Sequence, residues 1–279
     1  MQYFTLEKLD FTKLDDLEVA IIMSLLIAAY VFTASSITGD YSYIDRLWSI
    51  LPVLYSWGFT LSVGLKSKGF SVRGLLLSLL ITAWGIRLSY NFYRKGGYSG
   101  MEDYRWAILR DKIKSKIAWT LFSFLFIAVF QSLLLLAITF PVYKVGQDFI
   151  DGQTELTVKD IICSIIFAFL LLGETVADNQ QFAFQTKKYK LIHENKQIPK
   201  KYARGFITSG LFKYSRHPNF FCEILMWWTV CFFGLDKFTS LNWTMLGAGL
   251  LNLLFLGSTQ FTEDITSSKY KEYSVILLF

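Results

Sequence analysis

The sequence predicts an all-α, polytopic membrane helix bundle of about seven transmembrane helices. Three observations predict it. Hydrophobic residues make up 53% of the 279 residues and aromatics 18%, and the mean hydropathy is +0.38. That balance belongs to membrane chains rather than soluble domains. Seven apolar segments stand out, roughly 17–37, 47–65, 72–93, 117–142, 158–177, 220–235 and 241–258, most of them near the ~20 residues that cross a bilayer core. Finally, Lys and Arg are unevenly placed: nineteen fall on the connections 38–46, 94–116 and 178–219 and on the C-terminal tail, against eight on the opposite side.

No Pro- or Ser-rich linker interrupts the spans, so one membrane domain, 17–258, is expected between an N-terminal extension, 1–16, and a tail, 259–279, on the basic side. The positive-inside rule puts the N-terminus outside, and the basic loops 94–116 and 178–219 in the cytosol or matrix with the C-terminus. The endoplasmic reticulum and the mitochondrial inner membrane both suit this. Topology thereby accounts for the net charge of +6, and nucleic acid is not an expected partner; membrane lipids are.

The elements follow in order. Residues 1–16 lack a basic start and an apolar core and carry Asp10, Asp15 and Asp16, so the first span, 17–37, is the insertion signal rather than a cleaved peptide. Between the second and third spans, Gly64 to Ser71 imitates a phosphate loop but has Phe70 where Lys is required. The third span carries Arg87 about two turns inside its basic end, with Asn91 one turn further on the same face. Arg87 can snorkel to the headgroups or face the interior and pair with an anion or a carboxylate. Next come Gly96, Gly97 and Gly100, suited to a tight turn, and Glu102, Asp103 and Arg105, either a solvated charge cluster or a loop ordered against a ligand. The fifth span ends with Glu174 and Asp178 on one helix face. Like charges at that spacing repel, and a cation, donors or a proton must compensate them.

The densest signal is Gly210-Leu-Phe-Lys-Tyr-Ser-Arg216-His217-Pro218-Asn219-Phe-Phe-Cys222-Glu223, a basic loop running into the sixth span. Pro218 suits a first helical turn, which sets Asn219 and Glu223 one turn apart on one face. Arg216 and His217 then lie at the positive end of the helix, where anions bind. The plainer alternative is a helix cap with a basic flank. The short sixth and seventh spans read as a tight hairpin. Cys163, Cys222 and Cys231 all fall in spans, so they read as small apolar fillers rather than a disulfide framework. His193 and His217 are the only histidines, and no HxxxH or CxxC spacing exists; no metal site is expected. A soluble dinucleotide fold is excluded, since no GxGxxG follows a strand.

These residues resemble the steroid 5-alpha-reductase-like family of membrane proteins, from about 41 to 274. The resemblance rests on Ile44-Asp45-Arg46-Leu47-Trp48, Trp84-Gly-Ile-Arg87-Leu, Glu102-Asp103-Tyr-Arg105, Ala177-Asp178-Asn-Gln180, the stretch from Ser209 to Glu223, Gly257-Ser-Thr-Gln-Phe-Thr-Glu263 and Lys269-Tyr-Lys-Glu-Tyr273. Sterol reductases and isoprenylcysteine methyltransferases carry similar elements. The resemblance implies a seven-helix bundle with a cofactor cavity open to the cytosolic side. The implied cofactor is NADPH, and the implied reaction is reduction of a lipophilic enone or related double bond. Asn219 and Glu223 would hold the nicotinamide carboxamide and Asp178 the nucleotide region. Arg87, Arg105 and Arg216 are phosphate candidates, with His217 beside them, because the arginine fork matches phosphate oxygens. Tyr43, Tyr90 and Tyr93 are proton-donor candidates. The chain departs from the family at Cys222, where glycine is usual, at Glu174, where the steroid enzymes have an amide, and in its tail, which lacks the expected proline. Two other functions stay open: a membrane S-adenosylmethionine-dependent methyltransferase, and a non-catalytic accessory subunit packed against other membrane subunits.

Overall fold

The computed structural model describes residues 14–67, 69–235, 242–270 and 272–273. Most of the N-terminal extension, the hairpin tip at 236–241 and the last six residues of the tail lie outside the described residues. All regular structure among the described residues is helical.

Helix α1, Asp16–Thr38, starts at a capping box in which Asp15 and Glu18 answer each other's backbone N–H groups, and it stops at Gly39, whose φ of 72° ends the helix in the left-handed region. The short α2, Tyr43–Leu47, leads into α3, Leu51–Ser67. Ser71 caps α4, Val72–Arg94, by accepting from Gly74 N. The loop beyond it turns at Gly96, φ 83°, and holds α5, Tyr104–Lys112. The fourth span is composite: α6, Lys116–Phe122, a π-helical stretch, Ser123–Phe130, α7, Gln131–Ala137, and α8, Phe140–Ile150, with Pro141 in its first turn. A Thr157/Asp160 capping box opens α9, Val158–His193. After α10, Lys200–Ala203, and a 3-10 turn, Gly210–Lys213, come α11, Pro218–Phe233, a second 3-10 turn, Trp243–Met245, and α12, Leu246–Lys269.

The described residues of all seven expected apolar segments are mostly helical. Among the described residues, five helical spans, the composite fourth one included, are long and apolar enough to cross a membrane; α3 and α11, with 17 and 16 residues, are shorter. The chain is an integral membrane bundle, and the exposed leucines, isoleucines and phenylalanines along α1, α6 and α9 give it an apolar outer surface suited to lipid. Its core gathers Leu77, Ile81 and Trp84 of α4, the run Leu134 to Leu136 of α7 and Met226, Val230 and Phe233 of α11. The three cysteines are buried and free.

The expected loop 178–219 is shorter than the hydropathy suggested. Helix α9 runs on to His193, and its 36 residues reach about 54 Å, against a bilayer core of ~30 Å. Its second half is polar overall, yet Phe184, Lys188 and Leu191 are buried at helical spacing, and the Lys188 ammonium donates to Gly205 O. Helix α12 likewise continues beyond the expected boundary at 258.

At one end of the bundle a buried ion cluster ties four helices together. Arg73 of α4 donates through Nε and Nη2 to Asp160 of α9 at 2.8 and 3.2 Å, and through Nη2 to Phe233 O of α11 at 2.7 Å. Its Nη1 lies 3.7 Å from Asp148 of α8. Asp16, at the start of α1, meets Lys66 at this same end. The loops after α4 and α9 and the end of α12 meet at the other end, where Arg216 pairs with Glu263 and Lys112 sits over Phe261.

Candidate functional site

A cavity of about 910 Å³ occupies the end of the bundle remote from Arg73, within the range of small-molecule sites. Its polar wall comes from α4, α9 and α11: Asn91, Glu174, Asp178, Asn219 and Glu223. Aromatic and aliphatic side chains face them, among them Phe122, Phe126, Phe220, Leu254 and Phe261. The loop 95–106, with Lys95 and Arg105, forms the remaining side.

The polar wall is a hydrogen-bonded network. Arg87 faces the interior and answers the paired carboxylates of α9: its Nη1 donates to Asp178 Oδ2 at 2.7 Å and its Nη2 pairs with Glu174. The inward alternative read for Arg87 is therefore the correct one. Asn91 Nδ2 donates to Asp178 Oδ2 at 2.7 Å and Asn219 Nδ2 to Asp178 Oδ1 at 3.4 Å, with Lys95 Nζ 3.7 Å from the same oxygen. Asp178 thus has four partners. Glu174 has one, and its Oε2 is buried without a hydrogen-bond partner among the described residues. Glu223 is oriented by two indoles: Trp84 Nε1 donates to Oε2 at 2.8 Å and Trp227 Nε1 to Oε1 at 3.0 Å. The indoles themselves meet edge to face.

The loop side is built from the sequence Glu102-Asp103-Tyr104-Arg105-Trp106. Asp103 caps α5 by accepting from Arg105 N, and its two oxygens take the Arg105 guanidinium fork at 2.9 Å each. Burial alone would raise the Asp103 carboxyl; the Arg105 guanidinium outweighs it and holds the group below its ordinary range. Glu102 accepts from Tyr41 N at 3.0 Å and from Arg110 at 2.6 Å. Asp45 accepts from Trp106 Nε1 at 2.8 Å, and burial pushes its carboxyl up against the pull of Arg105.

Arg105, Asp178, Asn219 and Glu223 line the cavity as the motifs suggested, and Arg87 stands behind them. Arg216 and His217 do not line it. They bind Glu263 of α12, Arg216 Nη1 at 2.7 Å and His217 Nε2 at 3.3 Å, and so clamp the entry of α11 onto α12. Burial lowers the His217 imidazole from its ordinary value, opposed by Glu263. The three tyrosines also fall elsewhere. Tyr90 and Tyr93 sit on the exposed face of α4, and Tyr43 packs against Tyr30 and Arg46. The lining tyrosine is Tyr104. Sequence reasoning also passed over Trp227, Lys95 and Gln131. For Trp227 a signal existed: it is one turn from Glu223 and its N–H reaches back along the helix.

The family model described as "Protein of unknown function (DUF1295)" matches residues 31–275. A relative in Schizosaccharomyces pombe (strain 972 / ATCC 24843), "Uncharacterized protein C594.04c", is 36% identical over 267 residues, which is 92% of this chain and 76% of that protein. No solved structure matches. The family match takes in every cavity-lining residue, from Ser42 to Phe261, and the chain belongs to the DUF1295 family.

Proposed function

We propose that the cavity binds NADPH and that this end of the bundle reduces a lipophilic enone or a related double bond. The observation that carries the reading is the pair Asn219 and Glu223 on one cavity wall, with the Glu223 carboxylate held by Trp84 and Trp227. Each Glu223 oxygen accepts one indole N–H and keeps a second lone pair. A nicotinamide carboxamide would donate its N–H group there, while Asn219 presents its amide beside it. The residues fit the nicotinamide end of the cofactor.

The phosphate end is served differently from the expectation. Arg87 and Arg216 do not line the cavity and are withdrawn from that role. Arg105 keeps the role expected of it, since it lines the cavity while its fork also holds Asp103, and Lys95 joins it there. When bound, the cofactor supplies a hydride. The aromatic wall keeps water from the reacting groups. Tyr104, the tyrosine on the cavity lining, replaces Tyr43, Tyr90 and Tyr93 as the proton source. The substrate enters from the bilayer, and the basic end faces the cytosol or matrix.

One observation favours a second reading. The lining carboxylates Asp45, Glu102, Asp103, Glu174, Asp178 and Glu223 outnumber Lys95 and Arg105, which suits a cationic ligand such as the sulfonium of S-adenosylmethionine. Titration separates the two readings. Protein in nanodiscs is titrated with NADPH, followed by cofactor fluorescence, and with S-adenosylmethionine in parallel. NADPH should bind more tightly. Glu223→Ala and Asn219→Ala should each weaken it about five- to a hundred-fold, as loss of a buried hydrogen bond worth ~1–3 kcal/mol requires. Lys187→Ala, on the exposed face of α9, should change nothing. Saturable binding of S-adenosylmethionine alone replaces the reductase with a methyltransferase. Binding of neither, with the fold intact, leaves an accessory subunit.

A further inference from the structure

The composite fourth span, Lys116–Ile150, is the most apolar of the five long spans. Near its middle stands Gln131. Thr120, Ser123 and Thr139 of this span donate to backbone carbonyls three or four residues before them, whereas the buried Ser132 hydroxyl has no partner among the described residues. Gln131 does not have that outlet. Its side chain is buried, 3% exposed, and it lines the cavity; its amide meets no hydrogen-bond partner among the described residues. With no bond to its own helix, the amide is open to a ligand that enters the cavity.

The backbone before it is also unusual. Ser123–Phe130 is π-helical over 8 residues, a conformation that is rare and concentrated at functional sites. It brings Phe122, Phe126 and Phe130 into a ladder of stacked rings, with centroids 5.0 and 5.5 Å apart and interplanar angles of 22° and 10°. Phe122 and Phe126 line the same cavity as Gln131. An aromatic face and a single donor–acceptor amide are therefore presented together, on a helix other than those that carry Glu174, Asp178, Asn219 and Glu223.

From this we infer that Gln131 and the ladder of Phe122 and Phe126 form the substrate-recognition subsite, which takes an apolar body bearing one ketone or aldehyde carbonyl. The rings pack on the apolar body. The Gln131 Nε2–H donates to the carbonyl oxygen. A hydrocarbon of the same size fills the space but strands the amide, and sites built around a polar group reject analogues that lack it. The inference rests on the reductase reading for the chemistry of the cavity and names the substrate class of that site.

The test is competition in nanodiscs for a long-chain bromoalkane, which quenches the cavity tryptophans Trp48 and Trp106 when it binds. The competitors are a long-chain methyl ketone, the alkane of equal carbon count and the matching primary alcohol. The wild-type protein should prefer ketone over alkane by about five- to a hundred-fold, the range of one buried hydrogen bond. In Gln131→Leu the preference should collapse to near unity while NADPH binding is unchanged. Gln131→Met, which keeps the length and loses the donor, should also lose it. A ketone preference retained in Gln131→Leu overturns the assignment, as does a wild-type protein that does not distinguish ketone from alkane or prefers the alcohol. Loss of NADPH binding in Gln131→Leu, with the fold intact, assigns the amide to the cofactor and also overturns it. Ketone selectivity without any NADPH binding removes the reductase reading and leaves the subsite standing.

Discussion

Arg87→Met should destabilise the bundle through one particular carboxylate. Arg87 is 11% exposed, and its partners Glu174 and Asp178 are 6% and 4% exposed, so solvent screens the pairs little. Removing one partner of a buried ion pair typically costs about 3–5 kcal/mol, because the other charge is left uncompensated. The loss is not shared equally. Asp178 keeps Asn91 at 2.7 Å, Asn219 at 3.4 Å and Lys95 at 3.7 Å. Glu174 keeps nothing, since its Oε2 has no partner among the described residues. The full cost therefore falls on Glu174, and Glu174→Gln in the Arg87→Met background should recover all but about 1 kcal/mol of it. Unfolding by sodium dodecyl sulfate in mixed micelles gives the four free energies of the cycle. Arg87→Met lying within about 0.5 kcal/mol of wild type, or a double variant no more stable than the single one, would refute the argument.

Two further predictions concern the clamp at the entry of α11. Gly210 has φ +66°, and Gln180 Oε1 crowds the position its Cβ would take while accepting from Leu211 N at 2.9 Å. Gly210→Ala should cost about 1–2 kcal/mol from the left-handed backbone alone; equal denaturation midpoints for the two proteins would count against it. Burial lowers the His217 pKa in the folded protein, so the unfolded chain takes up this proton first as pH falls. Stability contributed by neutral His217 is then present above its ordinary value near 6.5 and lost as pH falls through the lower folded value. His217→Gln should flatten that part of the stability profile, and a variant with the wild-type slope would assign the slope to other groups.

Much of the site was legible in the sequence because membrane interiors penalise polar groups. Arg87, Glu174, Asp178, Asn219 and Glu223 stood out as ionisable or amide side chains in apolar runs, and helical spacing put them on shared faces. What one-dimensional spacing could not supply was pairing between helices. Snorkelling stayed an alternative for Arg87 beside the inward polar stripe it shares with Asn91, and only the approach of α4 to α9 makes it the counter-ion of Glu174. Arg216 and His217 looked like anion ligands at a helix start, yet Glu263, 46 residues beyond His217, already takes that charge. The second half of α9 was hidden because its polar surface lowers the hydropathy, while its buried positions still repeat with the helical period. The tyrosines failed for a related reason: Tyr90 and Tyr93 lie on the far face of α4 from Asn91, and residue type alone does not fix the face.

The Arg73 cluster divides the bundle into two mechanically unlike ends. On α4 and α9 it lies 14 residues before Arg87 and Glu174, and on α11 it ends 10 residues after Glu223, offsets of about 15–21 Å along the helices. Four helices are knotted where Arg73 grips Asp160, Asp148 and Phe233, so they cannot separate there without stripping a buried guanidinium of its carboxylates. At the cavity α4, α9 and α11 are tied a second time, where Arg87 and Asn91 hold Asp178 and Trp84 holds Glu223, so the polar wall is pinned at both levels. Freedom at the mouth is then left to what lies outside both ties, the loop 95–106 and the end of α12, which line the cavity opposite the pinned wall.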